Sequence, residues 1–315
     1  MIIDSHLHIG LNGWTEETLM KYLDDQGIDK AWLLTWDEMN PMVPIYYESL
    51  DVEMVKTAYR NFPDRIVPFY APDPARSDWK MLLQRFLDDG FAGCAELKVP
   101  YRWNDPLLLP LLEFLNKKKL PLVFHMERAR KIFIPGSDRG MDWFFKRIIN
   151  ERTNGVAAHH IEKWSEKTGI FKKYLGKHMI EFPGYLLDFS ELEEAVFNFP
   201  DIRFIAHGPH FWNNISNPGR DYLFHQTGKV NGRGIAWDLL EKYPNFFCDL
   251  SGFSAYNAIS RNEAFSREFL NTNHTKLLFG TDNSGLDMLG KVKELVTDAS
   301  MLSDILQGNA RKITE

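Results

Sequence analysis

Near the start of the chain, Asp4-Ser5-His6-Leu7-His8 sets two histidines two residues apart. Successive residues of an extended strand point to opposite faces, so His6 and His8 share one face and can grip one ion together. A lone histidine would read as a satisfied core residue, whereas two at this spacing at a strand end are harder to dismiss. Three further apolar runs end in residue types that a metal site uses. Pro121-Leu122-Val123-Phe124 leads into His125, Arg203-Phe204-Ile205-Ala206 into His207, and Leu278-Phe279-Gly280-Thr281 into Asp282. Brought into one pocket, four histidines and one carboxylate supply neutral imidazole nitrogens and an anionic oxygen, a set that suits zinc and, less tightly, manganese or iron. Burying these groups with neither an ion nor mutual hydrogen bonds would cost several kcal/mol.

For these residues to meet, the runs that carry them must converge. Short apolar segments alternate with amphipathic helical patterns along the whole chain, which is the signature of βα units around a parallel sheet. Strands are expected over 1–8, 30–36, 65–70, 93–100, 120–126, 202–207, 245–251 and 276–281. Helices are expected over 15–26, 51–61, 78–90, 107–119 and 190–199, with a helical tail over 300–313. Eight parallel strands in a 315-residue chain predict one α/β domain over 1–315, a distorted TIM (β/α)8 barrel whose C-terminal strand ends share one pocket. Residues 127–188, after the fifth strand, are far longer than an ordinary βα loop. Helical spacing at Phe144-Phe145, Ile148-Ile149 and Ile161–Trp164 predicts a helical lid inserted at about 128–188, a peripheral decoration being the alternative. A second irregular stretch, 210–234, is expected to be another loop of the pocket.

Composition narrows the function classes. Net charge −6 and a pI near 6.0 provide no basic field, which speaks against nucleic acid as a partner. Cys94 and Cys248 sit inside apolar runs and read as buried free thiols, so neither a disulfide framework nor a zinc ribbon is expected. No stretch approaches the roughly 18 apolar residues of a membrane span, and the N-terminus lacks a leader pattern, so a cytoplasmic location is expected.

Ile3-Asp4-Ser5-His6-Leu7-His8, Leu120 to His125, Phe199-Pro200-Asp201 running on to His207-Gly208, Leu278 to Asp282 and the terminal Gly308-Asn309-Ala310-Arg311 together resemble the amidohydrolase superfamily. Within it they resemble the branch that includes aminocarboxymuconate semialdehyde decarboxylase. The resemblance implies a divalent metal, zinc before manganese or iron and one ion rather than two, held by His6, His8, His125 and Asp282. It implies that His207 lies beside a metal-activated water as acid/base, or serves as a ligand if the centre is binuclear, and that Asp282 takes the water's proton.

Glu96 and Lys98 depart from the simplest version of that pattern. Both fall on the inward face of the fourth strand in Cys94-Ala95-Glu96-Leu97-Lys98, and either could bridge two ions as strand residues do in binuclear relatives. A Glu96–Lys98 ion pair or a Lys98 contact to an anionic substrate is the plainer expectation, leaving a mononuclear site. Arg128 and Arg130 could hold a carboxylate bidentately, and His210 and Trp212 could touch substrate. His159 and His160 read as surface residues. Asp249, Ser251, Trp36, Asp37 and Tyr70 end strands and are expected to line the pocket.

The function expected is hydrolysis of a small organic amide, lactone or ester, with nonoxidative decarboxylation by the same constellation as the alternative. A phosphoesterase, suggested by Glu96 alone, is disfavoured by the acidic charge, and a metal-free binding protein by the retention of every expected ligand type. A homodimer is compatible with the aromatic runs Trp143-Phe144-Phe145 and Phe171-Lys172-Lys173-Tyr174.

Overall fold

The computed structural model describes residues 1–37, 49–133, 154–168, 179–217, 219 and 223–315. Ten strands lie among them: β1 (Ile3–Leu7), β2 (Lys30–Leu33), β3 (Ile66–Pro68), β4 (Cys94–Leu97), β5 (Pro121–His125), β6 (Arg130–Phe133), β7 (Met179–Phe182), β8 (Arg203–His207), β9 (Phe246–Leu250) and β10 (Leu277–Phe279). All eight strands expected from the sequence are present, each shorter than its apolar run because pairing stops where the chain turns outward. β1-β2-β3 form one parallel sheet and β10-β9-β8-β5-β4 another.

Two seams close these sheets on each other. At one, Asp282 donates its backbone N–H to the His6 carbonyl at 2.8 Å and the Ser5 hydroxyl donates to the Phe279 carbonyl at 2.8 Å. At the other, Ala92 donates to the Pro68 carbonyl at 2.9 Å and Tyr70 to that of Gly93 at 3.3 Å. The result is a distorted eight-stranded α/β barrel, with order 1-2-3-4-5-8-9-10 around the wall.

Ile3, Trp32, Leu34, Phe69, Ala95, Val123, Ile205 and Leu278 pack together as one buried cluster, against Ala310 and Ile313 of the terminal helix. A larger buried shell, which includes Leu19, Leu23, Leu83, Leu112 and Trp237 on helices, packs against the barrel wall. The first helix, Glu16–Gln26, begins where the sequence places it, because Thr15 and Thr18 cap each other's backbone and Glu16 and Glu17 suit the positive end of the dipole.

β6 and β7 pair antiparallel, an element the sequence reading does not contain. They bracket the long excursion, of which the helix Val156–Thr168 is described and carries Ile161 and Trp164. Phe144-Phe145 and Ile148-Ile149 lie outside the described residues, as do both aromatic runs that motivated a dimer. Among the described residues no helix is long and apolar enough to cross a membrane.

Candidate active site

His6 and His8 point the same way, as strand alternation requires, with their Nε2 atoms 3.1 Å apart. Ile3, three residues before His6, packs in the barrel cluster, so the wall changes phase between them. An irregularity in the β1–β2 register between Asp4 and Leu7 accounts for it. A comparable irregularity between Cys94 and Leu97 accompanies Glu96.

The distal nitrogens of the two histidines are committed. His6 Nδ1 donates to Asp249 Oδ2 at 2.8 Å and His8 Nδ1 to the Leu34 carbonyl at 2.9 Å. A proton held on Nδ1 leaves the Nε2 lone pair of each neutral ring facing the other. Around that point stand Glu96 Oε2, 3.5 and 3.6 Å from the two Nε2 atoms, and Asp282 Oδ1, at 3.7 and 3.3 Å. Two lone pairs and two carboxylate oxygens converge there, with the Lys98 ammonium beside Glu96 Oε2. A divalent cation fits this donor set, which meets the chemistry of zinc or another borderline metal.

The charge balance among these side chains points the same way. Burial opposes a charge on His6, but the carboxylates of Asp249 and Glu96 outweigh it and hold its pKa well above the ordinary value. Burial lowers the pKa of His8. For Asp282 burial is overcome by the contact with His8 and the charges of His6 and His207, which bring it down to about 2. Glu96, likewise against the effect of burial, is held well below the usual carboxylate range by Lys98 and His6.

Asp282 is aimed by a left-handed turn, with φ near 52° at Asp282 and 50° at Asn283. Asn283 clasps the His8 backbone in both directions, accepting its N–H at 2.8 Å and donating to its carbonyl at 3.0 Å. Gly252 must lack a side chain here, since a Cβ would lie 2.8 Å from Asp282 Oδ2.

His207 sits 3.7 Å through Nε2 from Asp282 Oδ2 and 3.8 Å from Glu96 Oε1. Its Nδ1 donates to Asp249 Oδ1 at 2.8 Å. His125 is held differently: Nδ1 donates to Glu96 Oε1 at 2.7 Å, and Nε2 is 3.3 Å from Glu127 Oε2. Two flanking carboxylates, Glu127 and Glu96, raise its pKa despite burial. His6, His8 and Asp282 of the expected ligand set therefore surround one point, with Glu96 as their fourth neighbour. The donor atom of His125 groups instead with Glu96 and His207.

Lys98 lies 2.9 Å from Glu96 Oε2 and 3.5 Å over the Trp36 ring, so both the expected ion pair and the expected aromatic wall are present. Trp36 also meets His8 edge-on at 5.0 Å. Tyr70 donates its hydroxyl to Asp37 Oδ2 at 2.9 Å. The other candidates make contacts of their own. Trp212 is fully buried among Phe211 and Phe269 in the shell outside the barrel, where an aromatic packs rather than binds. His210 turns its Nε2 to the Leu187 carbonyl at 2.9 Å. His159 and His160 lie on the excursion helix. Arg128 is half-buried on the chain beyond β5, and Arg130 pairs with Glu127.

Sequence reasoning missed Glu127, although its spacing from His125, two residues on, is the same signal that linked His6 to His8. It also left Asp249 as an unassigned lining residue, because nothing local says that both its oxygens are taken by histidines.

The amidohydrolase family model matches residues 3–313, nearly the whole chain. A search of curated proteins found no match. Among solved structures, the chain resembles a probable 2-pyrone-4,6-dicarboxylic acid hydrolase from Acinetobacter baumannii, with TM-score 0.57 and 13% identity over 99% of this chain and 98% of that one. An uncharacterised TIM-barrel protein from Bordetella bronchiseptica gives TM-score 0.59 at 13% identity, covering 99% and 97%. The 2,6-dihydroxybenzoate decarboxylase from Rhizobium gives 0.52 at 16%, covering 99% and 98%. At these identities the structures speak for the fold alone, while the family match, together with a strand-end constellation of histidines and carboxylates, makes the chain a member of the amidohydrolase family and an enzyme of that superfamily.

Proposed function

We propose that the protein is a metal-dependent hydrolase of a small organic amide, lactone or ester, acting in the cytoplasm. The observation that carries this reading is the convergence of His6 Nε2, His8 Nε2, Asp282 Oδ1 and Glu96 Oε2 on one point, with both histidines' Nδ1 atoms already engaged. These four residues would hold the ion, zinc being the first expectation. When bound, a divalent cation supplies Lewis acidity and lowers the pKa of a water toward about 7.

The side chains do the rest. Asp282 Oδ2 and His207 Nε2, 3.7 Å apart, would flank the attacking water, so Asp282 accepts its proton and His207 takes that proton up on its bare Nε2 and delivers it to the leaving group. Lys98 and Trp36 form a wall with one cationic and one apolar face, which orients a substrate that carries an anionic or polarised oxygen. His125, held between Glu96 and Glu127, fixes the carboxylate that completes the cation site.

A second reading is nonoxidative decarboxylation, favoured by Lys98 as a buried cation able to hold a carboxylate; a fold neighbour is itself named a decarboxylase. A binuclear centre is favoured by the two faces of Glu96, since Oε2 looks toward His6 and His8 while Oε1 looks toward His125 and His207.

Elemental analysis of protein purified without chelator, beside turnover on lactones, esters, amides and carboxylated phenols, tests all three. One ion per chain with ring opening or ester cleavage supports the hydrolase. Carbon dioxide release from a carboxylated phenol replaces it with the decarboxylase, two ions select the binuclear form, and no ion above background removes the metal site.

A further inference from the structure

Asp249, at the end of β9, is fully buried, and its two oxygens are divided between two strands' histidines. Oδ1 accepts from His207 Nδ1 on β8 at 2.8 Å, and Oδ2 accepts from His6 Nδ1 on β1 at 2.8 Å. Ser251 adds its hydroxyl to Oδ1 at 2.5 Å and stands 2.9 Å from His207 Nδ1. The two imidazoles come to lie 4.2 Å apart between centroids, tilted by 40°, with both Nε2 atoms turned to the pocket.

Only an ionised carboxylate can do this at one position. It accepts on both oxygens and donates on neither, so every neighbouring ring must bring its Nδ1 proton and leave Nε2 bare. An amide of the same shape offers one acceptor and one donor, and can set the tautomer of one ring only. Replacing such a carboxylate by asparagine keeps geometry while imposing the wrong tautomer.

We infer that Asp249 is a positioning residue shared by the two halves of the site: it fixes the tautomer of the cation-holding His6 and of the proton-transferring His207 at once. The inference rests on the metal-dependent reading above for the roles of those two histidines, but not for the hydrogen bonds themselves. A site in which the ligand and the acid/base are locked by one side chain fails as a unit when that side chain changes.

The test is ring-nitrogen NMR of histidine-labelled, zinc-loaded protein, with zinc uptake measured by equilibrium dialysis for wild type, Asp249→Asn and Ser251→Ala. In wild type, His6 and His207 both carry their proton on Nδ1. In Asp249→Asn one of the two converts to the Nε2–H form. If it is His6, zinc affinity falls by about 10–100-fold; if it is His207, zinc stays and turnover is lost. Ser251→Ala, which keeps the carboxylate, retains both tautomers. Retention of both Nδ1 protons in Asp249→Asn overturns the inference, as does an Nε2–H His6 or His207 in wild type, a measurement that stands even where the variant does not fold. Absence of zinc uptake by wild type sinks the functional reading instead, and the tautomers are then read on the ion-free protein at a pH where both rings are neutral.

Discussion

The carboxylate of Asp4 accepts the Thr281 hydroxyl at 2.6 Å and the Thr281 backbone N–H at 3.1 Å, tying the strand that bears His6 and His8 to the residue before Asp282. Asp4 Oδ1 also accepts the His6 backbone N–H at 3.0 Å, and Tyr22 donates its hydroxyl to Thr281 at 3.1 Å. The closing seam of the barrel and the mouth of the site are thus one hydrogen-bonded unit.

Asp4→Ala should accordingly damage both fold and site. Removing the buried acceptor strands two backbone N–H groups and a hydroxyl, at about 1–3 kcal/mol for a group so left. Urea unfolding should show a loss of at least about 3 kcal/mol, three such groups being left, together with reduced metal content. Wild-type stability in the variant would mean that the seam is held elsewhere.

The two histidine functions should separate by mutation. His8→Ala removes a cation-facing nitrogen and should strip most of the bound metal while far-ultraviolet circular dichroism stays unchanged. His207→Ala should retain metal and lose turnover by about 10²–10⁴-fold, as expected for a general acid/base. Unaltered metal in His8→Ala would remove that residue from the site, and metal loss in His207→Ala would favour the binuclear centre.

Gly252→Ala is expected to act on Asp282 rather than on the core. The new Cβ would stand 2.8 Å from Asp282 Oδ2, and the backbone there has φ near 71°. A left-handed backbone costs alanine roughly 1–2 kcal/mol. Lower metal affinity with a modest drop in melting temperature is the expected pair of results, read by dialysis and calorimetry. Full metal affinity would show that Asp282 can move aside without loss.

His225 should make the protein acid-sensitive. Burial lowers its pKa to about 4 from an ordinary value of 6.5, and its Nδ1 has no hydrogen-bond partner among the described residues. The folded ring stays neutral where the unfolded ring takes up a proton. The contribution to stability is therefore complete above about pH 6.5, falls as pH drops toward 4, and changes no further below that. The loss amounts to about 3 kcal/mol on the usual conversion of pKa to free energy. Unfolding of wild type and His225→Gln at pH 7.5, 5.5 and 4.5 should give curves that converge as pH falls. Parallel curves would show that His225 titrates in the fold as it does in the unfolded chain.

Much of this protein is written locally. The alternation of short apolar runs with amphipathic stretches marks all eight barrel strands, because burial on both faces of a parallel strand leaves a continuous apolar signature. The pairing of His6 with His8 follows from a two-residue period, and the turn that begins the first helix follows from Thr15 capping its own first residues. Residues at strand ends were good candidates for the site because a barrel gathers those ends.

Which candidates share a point is a different matter, since it depends on wall phase and on contacts between distant residues. The register irregularities near Asp4 and near Glu96 shift a strand's facing, and period alone does not announce them. Glu96 therefore stands with His6 and His8, while His125 turns its ring between Glu96 and Glu127. Trp212 shows the same ambiguity from the other side: an aromatic just beyond a strand end suits a pocket wall or an outer core equally, and packing against Phe211 and Phe269 decides for the core. Asp249 meets His207 and His6 from positions 42 and 243 residues away. Residue type and spacing determined what chemistry was available; closure of the barrel, which sets distances between residues the chain keeps far apart, decided which of those groups meet.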